Sequence, residues 1–297
     1  MATLSQWIEG ARPRTLPAAT APVLAGTATA WHVIGTLRPT HVVLALLAAV
    51  VALALQVGVN YANDYSDGIR GTDDDRVGPM RLVGSKAASP RSVKLAAFAC
   101  FGVAAVAGLV VILMTGHWWF LAVGVASILA AWFYTGGENP YGYAGLGEVF
   151  VFIFFGLVAV LGTHFILADS VSWASLAAAV GIGALACALL VVNNLRDIPT
   201  DREVGKRTLA TRLGDTGTRQ FFVGLVLTAV ATTVLVAALT SWWALLGLAL
   251  VPFGVLSMRV TSSGATGRGL IPVLKTTGQA ELFMGLGLLA GIALSQL

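Results

Sequence analysis

Asn60-Tyr-Ala-Asn63-Asp64-Tyr-Ser-Asp67-Gly-Ile-Arg70-Gly-Thr-Asp73-Asp74-Asp75-Arg76 follows directly on an apolar run without a single charge, and it sets five aspartates within twelve residues. Far downstream a shorter version recurs as Asn193-Asn194-Leu-Arg196-Asp197-Ile-Pro-Thr-Asp201-Arg202. The two stretches together hold seven of the chain's 14 acidic residues. Carboxylates this close repel one another, so such clusters persist where positive charge sits among them. Gln56, Asn60, Asn63, Asp64 and Asp67 step 4, 3, 1 and 3 residues apart, which lines them along one face of a helix. Asn193, Asn194, Asp197 and Asp201 form a similar face. Opposed carboxylates suit Mg²⁺, a hard cation that takes one or two of them and fills its octahedron with water and phosphate oxygens. The expectation is a divalent metal site on Asp64, Asp67, Asp197 and Asp201, with a diphosphate held by the metal. Asn60, Asn63, Asn193 and Asn194 add neutral oxygens and amide donors, and Arg70, Arg76, Arg81, Arg202, Lys206 and Arg207 are placed to hold the remaining phosphate oxygens. Asp74 and Asp75 read as solvated loop charges.

Working outward, the 297 residues are 57% hydrophobic and 11% charged, with a mean hydropathy of +0.84. Soluble domains carry about 25% charged residues, so this chain has too few to cover a water-facing surface. It reads as an all-α polytopic membrane protein, one domain over residues 1–297. The net charge of +4 is explained by loop-borne Lys and Arg and gives no reason to expect nucleic acid. Cys100 and Cys187 lie inside apolar runs and read as core residues. Windows of about 20 apolar residues predict nine transmembrane helices, at 15–35, 42–62, 92–114, 118–134, 147–168, 173–195, 220–240, 242–258 and 279–296. Proline at 13, 17 and 22 interrupts the first apolar stretch, which argues against a cleaved signal peptide and leaves residues 1–14 as an interfacial segment.

The connections alternate between brief and long, and of the 18 Lys and Arg only Arg38 falls in a brief one. The positive-inside rule then puts the N-terminus and every long loop in the cytoplasm. The first Asp-rich loop, 63–91, and the second, 196–219, are separated by an even number of spans and face the same side. Asn60 and Asp64 match Asn193 and Asp197 in spacing, as in a parallel internal repeat. Tyr134 ends the fourth span on that side, where an aromatic face can sit against a cation, and it joins the four aspartates as a candidate catalytic residue. His164 reads as a hydrogen-bonded core histidine, and Glu281 as the partner of a nearby cation such as Lys275.

These residues resemble the UbiA superfamily of intramembrane aromatic prenyltransferases. Its pattern Asn-Asp-x-x-Asp-x-x-x-Asp is matched by Asn63, Asp64 and Asp67, while Gly71 stands at the last position and Asp73 is the nearest acid. Asp197 and Asp201 match its second pattern, Asp-x-x-x-Asp, in full. Arg12-Pro-Arg-Thr-Leu-Pro17, Gly78-Pro79-Met80-Arg81-Leu82-Val83, Asn139-Pro-Tyr-Gly-Tyr-Ala-Gly-Leu-Gly-Glu148 and Gly205-Lys-Arg-Thr-Leu209 resemble the branch that prenylates 1,4-dihydroxy-2-naphthoate. The resemblance implies a UbiA-type bundle around a central cavity with cytoplasmic cap loops, in a bacterial cell membrane. It implies Asp73 as a further metal ligand, two Mg²⁺ ions, and Arg12 or Arg14 on the acceptor's carboxylate. The implied reaction moves a polyprenyl group from its diphosphate to 1,4-dihydroxy-2-naphthoate, giving demethylmenaquinol, diphosphate and CO₂ at the membrane lipid. Two other readings compete: the same transfer onto 4-hydroxybenzoate or homogentisate, and a cation-coupled transporter. A transporter would place its polar breaks near the bilayer midplane, whereas these acids end helices.

Overall fold

A computed structural model describes residues 2–71, 80–138 and 140–297. The described chain is all helix, turn and connection. Proline and hydroxyl caps set where helices begin, and glycines in the left-handed region set where several stop. Helix α1 (Leu4–Gly10) starts from a Thr3 capping box, and a 3₁₀ turn, Pro13–Thr15, leads into α2 (Pro17–Ile34). Helix α3 (Pro39–Arg70) opens on proline and closes at Gly71, φ 72°. Helix α4 (Pro90–Thr115) is capped by Ser89 and closes at Gly116, φ 76°. Next come α5 (Phe120–Phe133), a 3₁₀ turn at Tyr141–Ala144, and a rod made of α6 (Gly147–Val151), a π-helical stretch (Phe152–Leu161) and α7 (Gly162–Ala168). Helix α8 (Trp173–Glu203) starts from a Ser172 capping box and α9 (Leu209–Leu239) from Thr208. A 3₁₀ segment (Trp242–Leu250) runs into α10 (Val251–Ser262), and a 3₁₀ turn (Gly267–Leu270) into α11 (Ile271–Ser295).

Seven of these rods are long and apolar enough to cross a membrane: Pro39–Arg70, Pro90–Thr115, Gly147–Ala168, Trp173–Glu203, Leu209–Leu239, Trp242–Ser262 and Gly267–Ser295. The other two expected spans correspond to α2 and the short α5. Helix α8 is the pillar: 83% of its apolar window is buried, against 17–50% in the other six. Small residues bring backbones together around it. A Cβ on Gly156 would lie 2.8 Å from the Ala179 carbonyl oxygen, and one on Gly26 would lie 2.5 Å from that of Val160. Without water to drive apolar faces together in lipid, such close backbone approach is what supplies the packing energy.

Five of the eight tryptophans sit exposed: Trp118 and Trp119 just before α5, Trp173 at the start of α8, and Trp242 and Trp243 at the start of the 242–250 segment. All lie at the end away from the acidic stretches, as an interfacial aromatic belt does.

Several expectations need correction. The stretch 196–219 is not a loop: α8 runs to Glu203, α9 begins at Leu209, and only the break at Gly214 (φ 71°, ψ −178°) interrupts the latter. Likewise α3 continues eight residues past the predicted end at 62, so Asp64 and Asp67 stand on helix. Glu281 does not pair with Lys275. Its side chain is wholly buried on α11, and neither carboxyl oxygen has a hydrogen-bond partner among the described residues. His164 is buried as expected, with Nδ1 3.0 Å from Thr29 Oγ1. Cys100 and Cys187 are both free thiols.

Candidate active site

The C-terminal ends of α3 and α8 both reach one cavity of about 500 Å³. Its long apolar part is walled by small residues of α4 such as Ala104 and Gly108, by α5 residues such as Gly124 and Ile128, and by Phe150, Phe154 and Phe155. The π-helical stretch presents Phe154, Phe155, Val158 and Ala159 there. Its polar end carries Gln56, Asn60, Asn63 and Asp67 from α3, and Asn193, Asn194, Asp197 and Asp201 from α8. Arg12, Arg81, Lys206 and Tyr134 complete that end. The cavity therefore suits an amphiphile with an anionic head.

One connection ties the two helix ends together. Tyr143, in the turn after α5, donates its hydroxyl to Asp67 at 2.7 Å. The Lys206 ammonium sits 4.3 Å over the same ring and 3.9 Å from Asp201. The backbone N–H of Arg207 donates to the Tyr143 carbonyl at 3.0 Å. Tyr143→Phe removes one charge-assisted hydrogen bond, worth about 1.5–3 kcal/mol, and frees Asp67 to rotate. It is expected to lower kcat/KM about tenfold or more while the protein melts within a few degrees of wild type.

Each cavity carboxylate already has a cation or donor beside it. Arg81 lies 3.5 Å from Asp67. Arg196, its own side chain 2% exposed, grips both oxygens of Asp197 at 2.7 and 2.8 Å. Asp64 is different: it does not line the cavity, and its two oxygens accept the backbone N–H groups of Leu82 (2.7 Å) and Val83 (3.0 Å). It anchors the turn that carries Arg81. Arg12, in a left-handed conformation (φ 54°), reaches the cavity. Arg14, Arg202 and Arg207 are exposed and do not line it. Arg70 donates to the carbonyls of Thr135 and Gly137 and lies 5.5 Å over the Tyr143 ring, so it braces the connection from outside. Asp73, Asp74, Asp75 and Arg76 lie outside the described residues.

Other contacts have no signature in sequence. Thr15 accepts from Gln56 Nε2 and Asn60 Nδ2, both at 3.0 Å, and Ala11 O accepts from Asn60 Nδ2 at 2.9 Å, which pins the N-terminal segment against α3. Thr135 donates to Asn63 Oδ1 at 2.7 Å. Asn194 Nδ2 donates to Glu148 Oε1 at 2.9 Å, across 46 positions of sequence. The Tyr141 hydroxyl donates to Ala130 O at 2.7 Å, and burial pushes its phenol above the ordinary range.

Among the described residues no three His, Cys, Asp or Glu side chains converge as a preformed metal site. The donor set nonetheless fits Mg²⁺, which needs only one or two carboxylates and draws its other ligands from water and phosphate. Asp67, Asp197 and Asp201 share the cavity with amide oxygens and no soft ligand.

Comparison with known proteins agrees with this geometry. The sequence profile described as "UbiA prenyltransferase family" matches residues 19–265. The 1,4-dihydroxy-2-naphthoate octaprenyltransferase of Mycobacterium tuberculosis (strain ATCC 25618 / H37Rv) is 54% identical over all of this chain and all of that protein. The protein of the same name from Escherichia coli (strain K12) is 37% identical over 98% of this chain and 96% of its own length. In fold, a UbiA homolog from Archaeoglobus fulgidus bound to GPP and Mg²⁺ aligns with a TM-score of 0.69 at 13% identity, covering 97% of this chain and 99% of that one. The apo UbiA homolog from Aeropyrum pernix K1 aligns with the same TM-score at 16% identity over the whole of both chains. A cavity headed by two acid-tipped helices, a family profile over most of the length and full-length relatives above 30% identity make this chain a member of the UbiA prenyltransferase family.

Proposed function

We propose that the protein transfers a polyprenyl group from polyprenyl diphosphate to 1,4-dihydroxy-2-naphthoate, with loss of diphosphate and CO₂, giving demethylmenaquinol. The observation that carries this is the single cavity shared by Asp67, Asp197 and Asp201, with an apolar extension behind them. Full-length relatives that bear the naphthoate octaprenyltransferase name supply the acceptor. The single domain sits in a bacterial plasma membrane with nine spans, the acidic helix ends and cap segments facing the cytoplasm. The concentration of Lys and Arg in the connections on that side supports this orientation.

Asp67, Asp197 and Asp201 would hold the two Mg²⁺ ions that the family resemblance implies; Asp73, the further ligand the resemblance implies, lies outside the described residues. When bound, the metal supplies positive charge that stabilises the departing diphosphate. Arg81 and Lys206 hold the oxygens that the metal leaves exposed. The allylic C–O bond breaks with its electron pair leaving on diphosphate. Tyr134 and Phe150, both on the cavity wall, turn ring faces to the resulting cation. The apolar wall keeps water from capturing it. The carboxylate-bearing carbon of the naphthoate ring then forms the new bond, and the electron pair of its bond to the departing CO₂ restores the ring. Arg12 holds the acceptor's carboxylate until that step.

The test is a turnover assay in lipid nanodiscs with radiolabelled polyprenyl diphosphate. Prenylated product is expected with dihydroxynaphthoate and not with 4-hydroxybenzoate or homogentisate. EDTA should reduce turnover to background, and added Mg²⁺ should restore it. Product with 4-hydroxybenzoate alone, or turnover indifferent to EDTA, would refute the assignment.

A further inference from the structure

The asparagines around the cavity are not interchangeable once their partners are assigned. Asn63 accepts the Thr135 hydroxyl at Oδ1, so its amide N–H groups are what it offers a ligand. Asn194 is turned the other way. Its Nδ2 donates to Glu148 Oε1, and this contact fixes which end of the amide faces the cavity. Asn194 lines the cavity, and its Oδ1 has no partner among the described residues, so it stands there as an acceptor. Glu148 itself is 5% exposed and off the cavity wall, and its Oε2 is buried with no hydrogen-bond partner among the described residues. A buried carboxyl with half its capacity unused is unfavourable, and an apolar side chain would pack the same place at lower cost. Packing alone does not account for it.

What Asn194 Oδ1 takes from the substrates follows by elimination among their polar groups; Mg²⁺, the competing partner for an amide oxygen, is separated from them by the test below. A diphosphate offers acceptors only, an isoprenoid tail offers nothing polar, and the acceptor's carboxylate offers no proton. The ring hydroxyls are the remaining donors. We infer that Glu148 is a positioning residue for the acceptor: it locks Asn194 so that Oδ1 takes a hydrogen bond from a phenolic hydroxyl of the naphthoate. This rests on the proposed naphthoate transfer and adds to it the pair that reads the hydroxyl. The pair also orients the ring, because Arg12 and Asn194 lie on different elements and grip opposite kinds of group.

The experiment compares wild type, Glu148→Leu and Asn194→Ser in nanodiscs at saturating Mg²⁺. It measures KM for dihydroxynaphthoate, KM for polyprenyl diphosphate, and the inhibition constant of 2-naphthoate, which keeps the carboxylate and lacks both hydroxyls. Loss of one buried hydrogen bond predicts an acceptor KM raised about tenfold, with the donor KM and the 2-naphthoate constant each within about twofold of wild type. An unchanged donor KM also reports that the variant is folded. Asn194→Ser leaves Glu148 in place and serves if Glu148→Leu does not fold. A 2-naphthoate constant that rises in step with the acceptor KM would overturn the inference. So would an unchanged acceptor KM, or a shifted Mg²⁺ requirement, which would make Asn194 part of the metal site. A wild-type protein that fails to prenylate dihydroxynaphthoate refutes the proposed function instead.

Discussion

Asp67→Asn and Asp197→Asn are each expected to lower kcat by on the order of a thousandfold, the scale of losing one charge-stabilising group from a preorganised site, while the purified proteins stay folded. Both carboxylates line the cavity, and both are held in place before any ligand arrives: Asp67 by Tyr143 and Arg81, Asp197 by both nitrogens of the Arg196 fork. The amide keeps the shape and removes the charge, so the defect should appear in the chemical step more than in KM for the acceptor. Steady-state kinetics with dihydroxynaphthoate, at Mg²⁺ raised until the rate no longer climbs, are the measurement. Turnover near wild type in both variants would sink the site. Asp64→Asn should behave differently. Its carboxylate holds the Leu82 and Val83 amides, so hydrogen exchange at those two positions should accelerate along with the loss of rate, whereas Asp67→Asn should leave it unchanged.

Gly287→Ala and Gly291→Ala are expected to destabilise the bundle by at least about 3 kcal/mol, the upper range for overpacking. Their leucine counterparts should fail to accumulate as folded protein. A Cβ at either position would fall 2.2 Å from a backbone carbonyl oxygen, that of Leu246 for Gly287 and that of Trp243 for Gly291. No rotamer change relieves a clash with backbone, so α11 would have to separate from the 242–250 segment. Thermal unfolding in detergent tests this, with Gly102→Ala and Gly224→Ala as controls, since a Cβ there meets nothing within 4 Å. Equal melting temperatures for all four alanine variants would show that α11 tolerates separation.

The acid-tipped helices were legible because the spacing of Asn60, Asn63, Asp64 and Asp67 is a local property of one helix, and because apolar runs declare their own length. Each predicted window accordingly overlaps a helical segment, but α3, α8, α9 and α11 run eight or more residues beyond theirs. What sequence could not supply was the set of partners brought in by the tertiary fold. Glu148 meets Asn194 across 46 positions, and Asp64 faces amides rather than a ligand because the turn holding Leu82 and Val83 sits against it. Glu281 looked like half of an ion pair because Lys275 lies nearby in sequence. Its burial on α11 shows that proximity along a chain does not decide which face a side chain takes. The run 196–219 looked like loop from its charges, yet polar residues extend α8 and α9 as helix where those rods leave the apolar layer.

Helix α5 has 14 residues, which at 1.5 Å per residue rise about 21 Å, well short of a hydrocarbon layer about 30 Å thick. Tilting would widen the shortfall, so a span this short is accommodated by thinner lipid or by its flanking residues. Exposed Trp118 and Trp119 stand at one end of α5 and half-buried Trp132 near the other, where indole rings hold the headgroup level. As one of the nine proposed spans, α5 would draw the leaflets beside it inward, and that would bring the headgroups closer to this flank of the cavity.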